Sequence, residues 1–316
     1  MEQIKQQYLS FKPNAKESSI NSYCRHLEML KNKMNCDNYD YIQEPDKVLE
    51  FLHNMKNKVG NPISYTTIRN YLNPIVVLLQ ARQPVNKELL EKYMKVRDKY
   101  NHQYIHEQET SKISDKQAPN FATPEEINDM ILKMKKDIND KELFTKQNLN
   151  NQEDNLLKAY IMFSFLIKFP IRNELAGIKL IGKREYNKLS DNDKKLDNYI
   201  VNSRPNYILS LGDYKTNKHH GVKMIIIDKE NESLLKKWIK MKNIQKGEVI
   251  FPISRVDLSN LLINYSTKYI GKRISTTMIR KARASVNVES KKDIQNLADI
   301  MTHKIGTHMG TYTKEN

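Results

Sequence analysis

The chain has 316 residues, 39% of them hydrophobic and 28% charged, which is long enough for two ordinary domains and too apolar for a disordered protein. Lys and Arg number 53 against 37 Asp and Glu, giving a net charge of +16 and a pI near 9.5. That excess favours a polyanionic partner, because each phosphate neutralised releases condensed counterions.

The charge is unevenly spread. Residues 1–120 hold 18 basic and 14 acidic side chains, while the rest holds 35 and 23. From Leu258 to Val288 there is no acid, yet Lys268, Lys272, Arg273, Arg280, Lys281 and Arg283 all fall there. A Lys-rich coding bias would spread charge more evenly, so this segment reads as a nucleic-acid surface. Two cysteines, Cys24 and Cys36, make neither a disulfide framework nor a metal site and indicate a reducing compartment. The N-terminus lacks the apolar core of a signal peptide. The longest apolar stretch, Ala159 to Ile167, is bounded by Lys158 and Lys168 and is too short to span a bilayer. The expectation is an intracellular protein with access to DNA and no membrane partner.

In chain order, the first hundred residues read as four or so helices. Ser18 or Ser19 caps a helix through Ile20, Tyr23, Leu27 and Leu30. Pro45 opens a second with Val48, Leu49 and Leu52 on one face. Ser64 precedes a third through Ile68, Tyr71, Leu72, Ile75, Val76 and Leu79, with Pro74 inside it. A fourth runs from Lys87 to about Tyr100. Residues 101–122 are polar, contain Pro119 and read as an interdomain linker. His102 and His106 lie there beside Glu107 with no third ligand nearby, so no metal is expected.

Residues 123–316 begin with Thr123-Pro-Glu-Glu126, an N-cap, a first-turn proline and a capping box. Leu156 to Phe169 is apolar nearly all round, which predicts a buried helix ended by Pro170. Tyr207-Ile-Leu-Ser-Leu and Val222-Lys-Met-Ile-Ile-Ile predict two strands around a basic turn. Helices are predicted at Glu230–Met241, Asp257–Tyr269, Thr276–Val286 and Lys292–Met301. The fold class is therefore mainly α with a small antiparallel sheet (α+β).

Five side chains along this order suit phosphoryl chemistry. Arg172 follows the buried helix, where a planar guanidinium on rigid scaffold can hold a phosphate bidentately; Glu174 can pair with it, although a plain surface pair is the blander reading. Lys215, in the turn Gly212 to Gly221, can protonate a leaving oxygen, and Lys218 and Lys223 compete for that role. Arg280 supplies a second cation, with Arg283 three residues on and roughly on the same face. His303 can donate to a nonbridging oxygen. Tyr312, nine residues further, can attack a phosphodiester and stay bound to it.

The order Arg172, Lys215, Arg280, His303, Tyr312 resembles the tyrosine recombinases, the phage-integrase family. Met301-Thr-His303 stands at that family's Leu-Gly-His, and Tyr207 to Thr216 is similar to its strand and Lys-Thr turn. The resemblance implies a helical core-binding domain (residues 1–100) and a catalytic domain (residues 123–316) forming a C-shaped clamp on double-stranded DNA. It further implies a 3′-phosphotyrosine intermediate, no metal or ATP, and a monomer that becomes a tetramer on synapsed DNA, as in a viral or mobile-element integrase. Lys218, Lys223, Lys268, Lys272, Arg273, Lys281 and Arg283 are then the expected DNA contacts.

Two residues depart from the family pattern. Thr277 stands where a histidine is usual, three before Arg280, and a hydroxyl cannot serve as a base there near neutral pH. Glu174 is two residues after Arg172, where the family places its acid three after. A type IB topoisomerase, which does not use that histidine, and a catalytically inactive DNA-binding clamp are the alternatives.

Overall fold

Apolar residues three and four apart close one face of a helix, and this pattern recurs through the first third of the chain. The computed structural model describes residues 1–109, 113, 117–285 and 297–301. It divides into two compact units, residues 1–109 and 110–316.

In the first unit, α1 (Glu2–Phe11), α2 (Glu17–Lys33), α3 (Pro45–Asn54), α4 (Tyr65–Ala81) and α5 (Lys87–Glu109) share one core. The Ser64 side chain accepts from Thr67 N at the start of α4, satisfying a donor the first turn leaves open. Helix α1 carries only two buried anchors, Ile4 and Tyr8, too few for a periodic signal. Tyr8 donates 2.8 Å to the Pro74 carbonyl, tying α1 to α4. The helix expected to end near Tyr100 continues to Glu109, through the first nine residues of the segment 101–122 read as a linker. Contacts across to α4 support that extension: the Arg69 guanidinium lies over the Tyr104 ring, and Tyr65 donates to Glu107.

In the second unit, α6 (Pro124–Asp140) starts with the capping box of Thr123 and Glu126. Helix α7 (Asn151–Lys168) is buried along most of its length from Leu156 to Ile167. It packs against α6 and against α11 (Lys229–Met241), α12 (Arg255–Ile270) and α13 (Thr276–Ala284). Each fully buried Leu or Phe side chain there contributes about 1.5–3 kcal/mol, so α7 is the axis of this unit. Trp238 of α11 stacks on Phe251 and donates 3.0 Å to the Ile250 carbonyl. A helical turn at 297–300 precedes Met301, and the rest of the helix expected at 292–301 lies outside the described residues.

The sheet is four-stranded and mixed, in the order β1 (Lys179–Gly182), β2 (Asn198–Asn202), β3 (Ile208–Leu211), β4 (Lys223–Ile226). The expected antiparallel pair is β3 and β4, with the short α10 (Asn217–His220) between them, and β2 joins β3 antiparallel as well. β1 and β2 are parallel, which requires a crossover; α8 (Lys183–Lys188) and α9 (Asp191–Leu196) supply it. Neither strand was legible in the sequence: Leu180-Ile181 and Tyr199-Ile-Val201 are apolar runs of two and three residues, shorter than the run Met224-Ile-Ile-Ile227 that predicts β4.

The end of β3 sits against that crossover. A Cβ on Gly212 would lie 1.8 Å from the Lys194 carbonyl oxygen and 2.6 Å from that of Asp197, so only glycine lets the two backbones approach. Gly177 has open space but a φ of +72°, and alanine there meets strain alone. Gly212→Ala is expected to cost at least about 2–3 kcal/mol in urea unfolding, and Gly177→Ala about 1 kcal/mol; equal costs would show that the crossover yields freely.

Candidate active site

Arg172, Asn173 and Glu174 follow α7 and are held on both sides by buried apolar residues, Phe169 and Ile171 before, Leu175 and Ile178 after. The segment therefore cannot drift, and its polar side chains point from a fixed base. Asn173 is the fastening. Its Nδ2 donates to the Arg255 carbonyl and to Ser259 Oγ, both 2.9 Å away on α12. Its Oδ1 accepts from Thr276 Oγ1 at 2.9 Å, at the start of α13.

Glu174 is 5% exposed. Burial raises its pKa above the ordinary 4.5; a backbone hydrogen bond and the charges of Arg280, Arg172 and Arg255 oppose the rise. The guanidinium charges of three segments thus act on one carboxyl, that of Arg255 while it pairs with Asp213. Its Oε2 has no hydrogen-bond partner among the described residues, a costly condition for a buried polar atom. Arg280 is 1% exposed, and its Nη2 donates 2.9 Å to the Met301 carbonyl. That carbonyl is two residues before His303 in the chain.

The connection carrying Lys215 is tied to the same place. Asn198, at the start of β2, accepts at 3.0 Å from Gly212 N and from Asp213 N. Its Nδ2 donates to the Asp213 carbonyl at 3.0 Å and the Glu174 carbonyl at 3.3 Å. Arg255 Nη2 donates 2.6 Å to Asp213 Oδ2 and 3.1 Å to its carbonyl. Tyr214 is 1% exposed and donates 2.6 Å to the Gly221 carbonyl, closing the loop at its base. Burial raises the Tyr214 pKa, and the Glu174 charge adds to the rise. Lys215 itself is exposed, on a loop whose stem is fixed.

The structure thus ties the segment of Arg172 and Glu174 to the start of α13, which carries Arg280, and to the stem of the Lys215 loop. The two arginines of α13 differ: Arg280 is buried and its charge acts against the rise in the Glu174 pKa, whereas Arg283 is half-buried, with burial lowering its pKa against the charge of Glu125. Thr277 is exposed; its neighbour Thr276 is the buried hydroxyl that donates to Asn173. His303 and Tyr312 lie outside the described residues. Asn173, Asn198 and Arg255 went unnoticed in the sequence, where a lone Asn or Arg carries no signal; the positions beside Arg172 and Gly212 were the available hints.

The other expected cations scatter. Lys218, Lys268 and Arg273 are exposed, and Lys268 stands near the Tyr265 and Tyr269 rings. Lys223 donates 2.7 Å to the Asp299 carbonyl. Lys272 pairs with Glu126 at 2.6 Å and lowers that carboxyl's pKa. Lys281 is buried and donates 2.7 Å to Gln117.

No protein-family model and no curated protein matches this chain. Among solved structures it is similar to the crystal structure of XerA recombinase, at 13% identity and a TM-score of 0.41, covering 100% of this chain and 94% of that one. A similarity that distant carries no information about activity.

Two outcomes follow from the geometry. Asn198→Ala removes one side chain that serves four backbone groups and is expected to cost about 3 kcal/mol, read by urea unfolding. Glu174 binds its proton more readily folded than unfolded, so it subtracts stability as pH rises from about 4.5 through its raised pKa. The melting temperature of Glu174→Gln should therefore gain on the parent across that interval; a constant difference would place the carboxyl at its ordinary pKa.

Proposed function

We propose that the chain is a DNA strand transferase that cleaves and rejoins double-stranded DNA through a 3′-phosphotyrosine, as a site-specific recombinase or integrase. The observation that carries this is that the segment of Arg172 and the buried Glu174 is fastened through Asn173 to the start of α13, the helix of the buried Arg280, and through Asn198 to the stem of the Lys215 loop. A preorganised set of guanidinium groups is what a pentacoordinate phosphate needs, because its charge grows in the transition state.

In this reading the Tyr312 oxygen attacks the scissile phosphorus, gives its proton to solvent water, and displaces the 5′ oxygen. Lys215 gives a proton to that leaving oxygen. Arg172, Arg280 and His303 hold the nonbridging oxygens, and Glu174 keeps the arginines in place. The new phosphotyrosine bond conserves the energy of the broken one, so another 5′ hydroxyl can reverse the step and exchange strands. Double-stranded DNA is the partner, with a tetramer on synapsed duplexes; a viral or mobile element is the setting the composition fits. Thr277 in place of a histidine supports a second reading, a type IB topoisomerase, which needs no base there.

On a nicked suicide duplex carrying the cognate site, the parent protein should form an SDS-stable DNA adduct that Tyr312→Phe abolishes. An intact fold that gives no adduct on any terminal sequence would leave an inactive DNA-binding protein. Relaxation of arbitrary supercoiled plasmid by the monomer would favour the topoisomerase. Lys215→Ala should slow cleavage on the order of 10²–10⁴-fold, and a 5′-phosphorothiolate leaving group, which needs no proton, should restore it. Without that rescue the acid is elsewhere, Lys218 being the first candidate.

A further inference from the structure

Charge is also concentrated at the other end of the sheet. Asn198 begins β2 beside the Gly212 turn, and Asn202 ends it, paired in register with Gly182 at the end of β1. Beyond those two ends lies a cleft of about 730 Å³. Lys183 and Arg184 of α8, Arg204 of the turn after β2 and Lys246 of the turn after α11 all line it.

The neighbouring ion pairs use other residues: Lys179 with Asp197, Lys194 with Asp191, Lys236 with Glu232, Lys242 with Asp154. None of the four cleft cations has an ion-pair partner among the described residues. One carboxylate, Glu185, faces them; its Oε2 and Lys246 Nζ lie over Gly182, where a Cβ would collide with the carboxylate. Four cations around one opening with a single acid repel one another, and a polyanion relieves that repulsion.

We propose that this cleft binds the phosphates of a nucleic-acid backbone, as a second DNA contact apart from the candidate active site. The lining selects the ligand class. Asn187, Asn202 and Ser203 complete it with neutral hydrogen-bonding groups, and such side chains, with Lys and Arg, are the ones that contact phosphate and sugar oxygens. No aromatic or large apolar residue lines the cleft, so a base finds nothing to stack on. The contact therefore reads backbone and not sequence. From Asn198 to Asn202 the strand covers roughly 13 Å, about four base-pair steps of duplex at 3.4 Å each. The Asn198 end of β2 is the one tied to the stem of the Lys215 loop. The inference rests on the proposed DNA reading.

The test uses the full chain and the double variant Lys183→Gln, Arg204→Gln, with Lys183→Arg as the charge-keeping control. Fluorescence anisotropy on a labelled duplex of about 30 base pairs, across a salt series, should show roughly tenfold weaker binding and a salt slope smaller by about 2 for the double variant. The loss should be equal on cognate and scrambled duplexes. Lys183→Arg should bind as the parent does, and circular dichroism melts should coincide. Unchanged affinity and slope in the double variant, with the parent binding duplex, would overturn the proposal. A loss confined to the cognate sequence would do the same, by revealing base readout. A parent that binds inorganic tripolyphosphate in calorimetry but no duplex would overturn DNA as the source of the phosphate. Duplex binding with the predicted losses, but no Tyr312 adduct, would support the cleft while removing the strand-transferase reading.

Discussion

The second unit is organised around a carboxyl that has been taken out of water. Glu174 is buried at the end of the most apolar helix, and burial by itself pushes it towards the neutral acid. Three guanidinium charges oppose that push, and one of them, Arg280, is itself almost wholly buried. A buried charge in such surroundings costs several kcal/mol unless other charges and hydrogen bonds offset it. The hydrogen bond from Thr276 to Asn173 fixes how α13 meets the segment after α7. The donor that Arg280 sends to Met301 extends the constraint to the chain just ahead of His303.

Two asparagines turn these groups into a site. Asn173 ties the segment to α12 and α13, and Asn198 ties it to the turn that precedes Lys215. Both are amides with donors and an acceptor, and each uses both kinds. The result is a rigid stem under an exposed lysine. Rigidity below and freedom above suit a proton donor that has to reach a leaving group. Arg255 serves twice: its guanidinium holds Asp213, and its carbonyl accepts from Asn173.

Charge takes a different distribution in space from the one along the chain. The acid-free run from Leu258 to Val288 suggested one continuous basic face. Helix α6 brings Glu126 to Lys272 and Glu125 into the field of Arg283, while Asp137 accepts from Tyr269. Lys268 and Arg273 are left exposed. Meanwhile Lys183, Arg184, Arg204 and Lys246, spread over sixty residues of sequence, meet in one cleft. Linear runs of charge are a poor guide wherever a neighbouring helix can supply counter-charges.

What the sequence by itself determined was the set of strong local signals. Ser64 and Thr123 cap their helices, Pro45 opens one, and the apolar run through Phe163 and Leu166 makes the buried α7. The order of Arg172, Lys215 and Arg280 is written in the sequence as well, and the proposed chemistry is read from it. Only the tertiary structure decided that Arg280 is buried and Arg283 only partly so, that Thr276 and not Thr277 is the buried hydroxyl, and that Asn173 and Asn198 hold the parts together. It also produced β1 and β2, whose pairing depends on a crossover and on Gly212 admitting a second backbone. Local propensity acts over a few residues and is written in them. A contact between residues 100 positions apart is a property of two surfaces, and neither surface exists until the chain has folded.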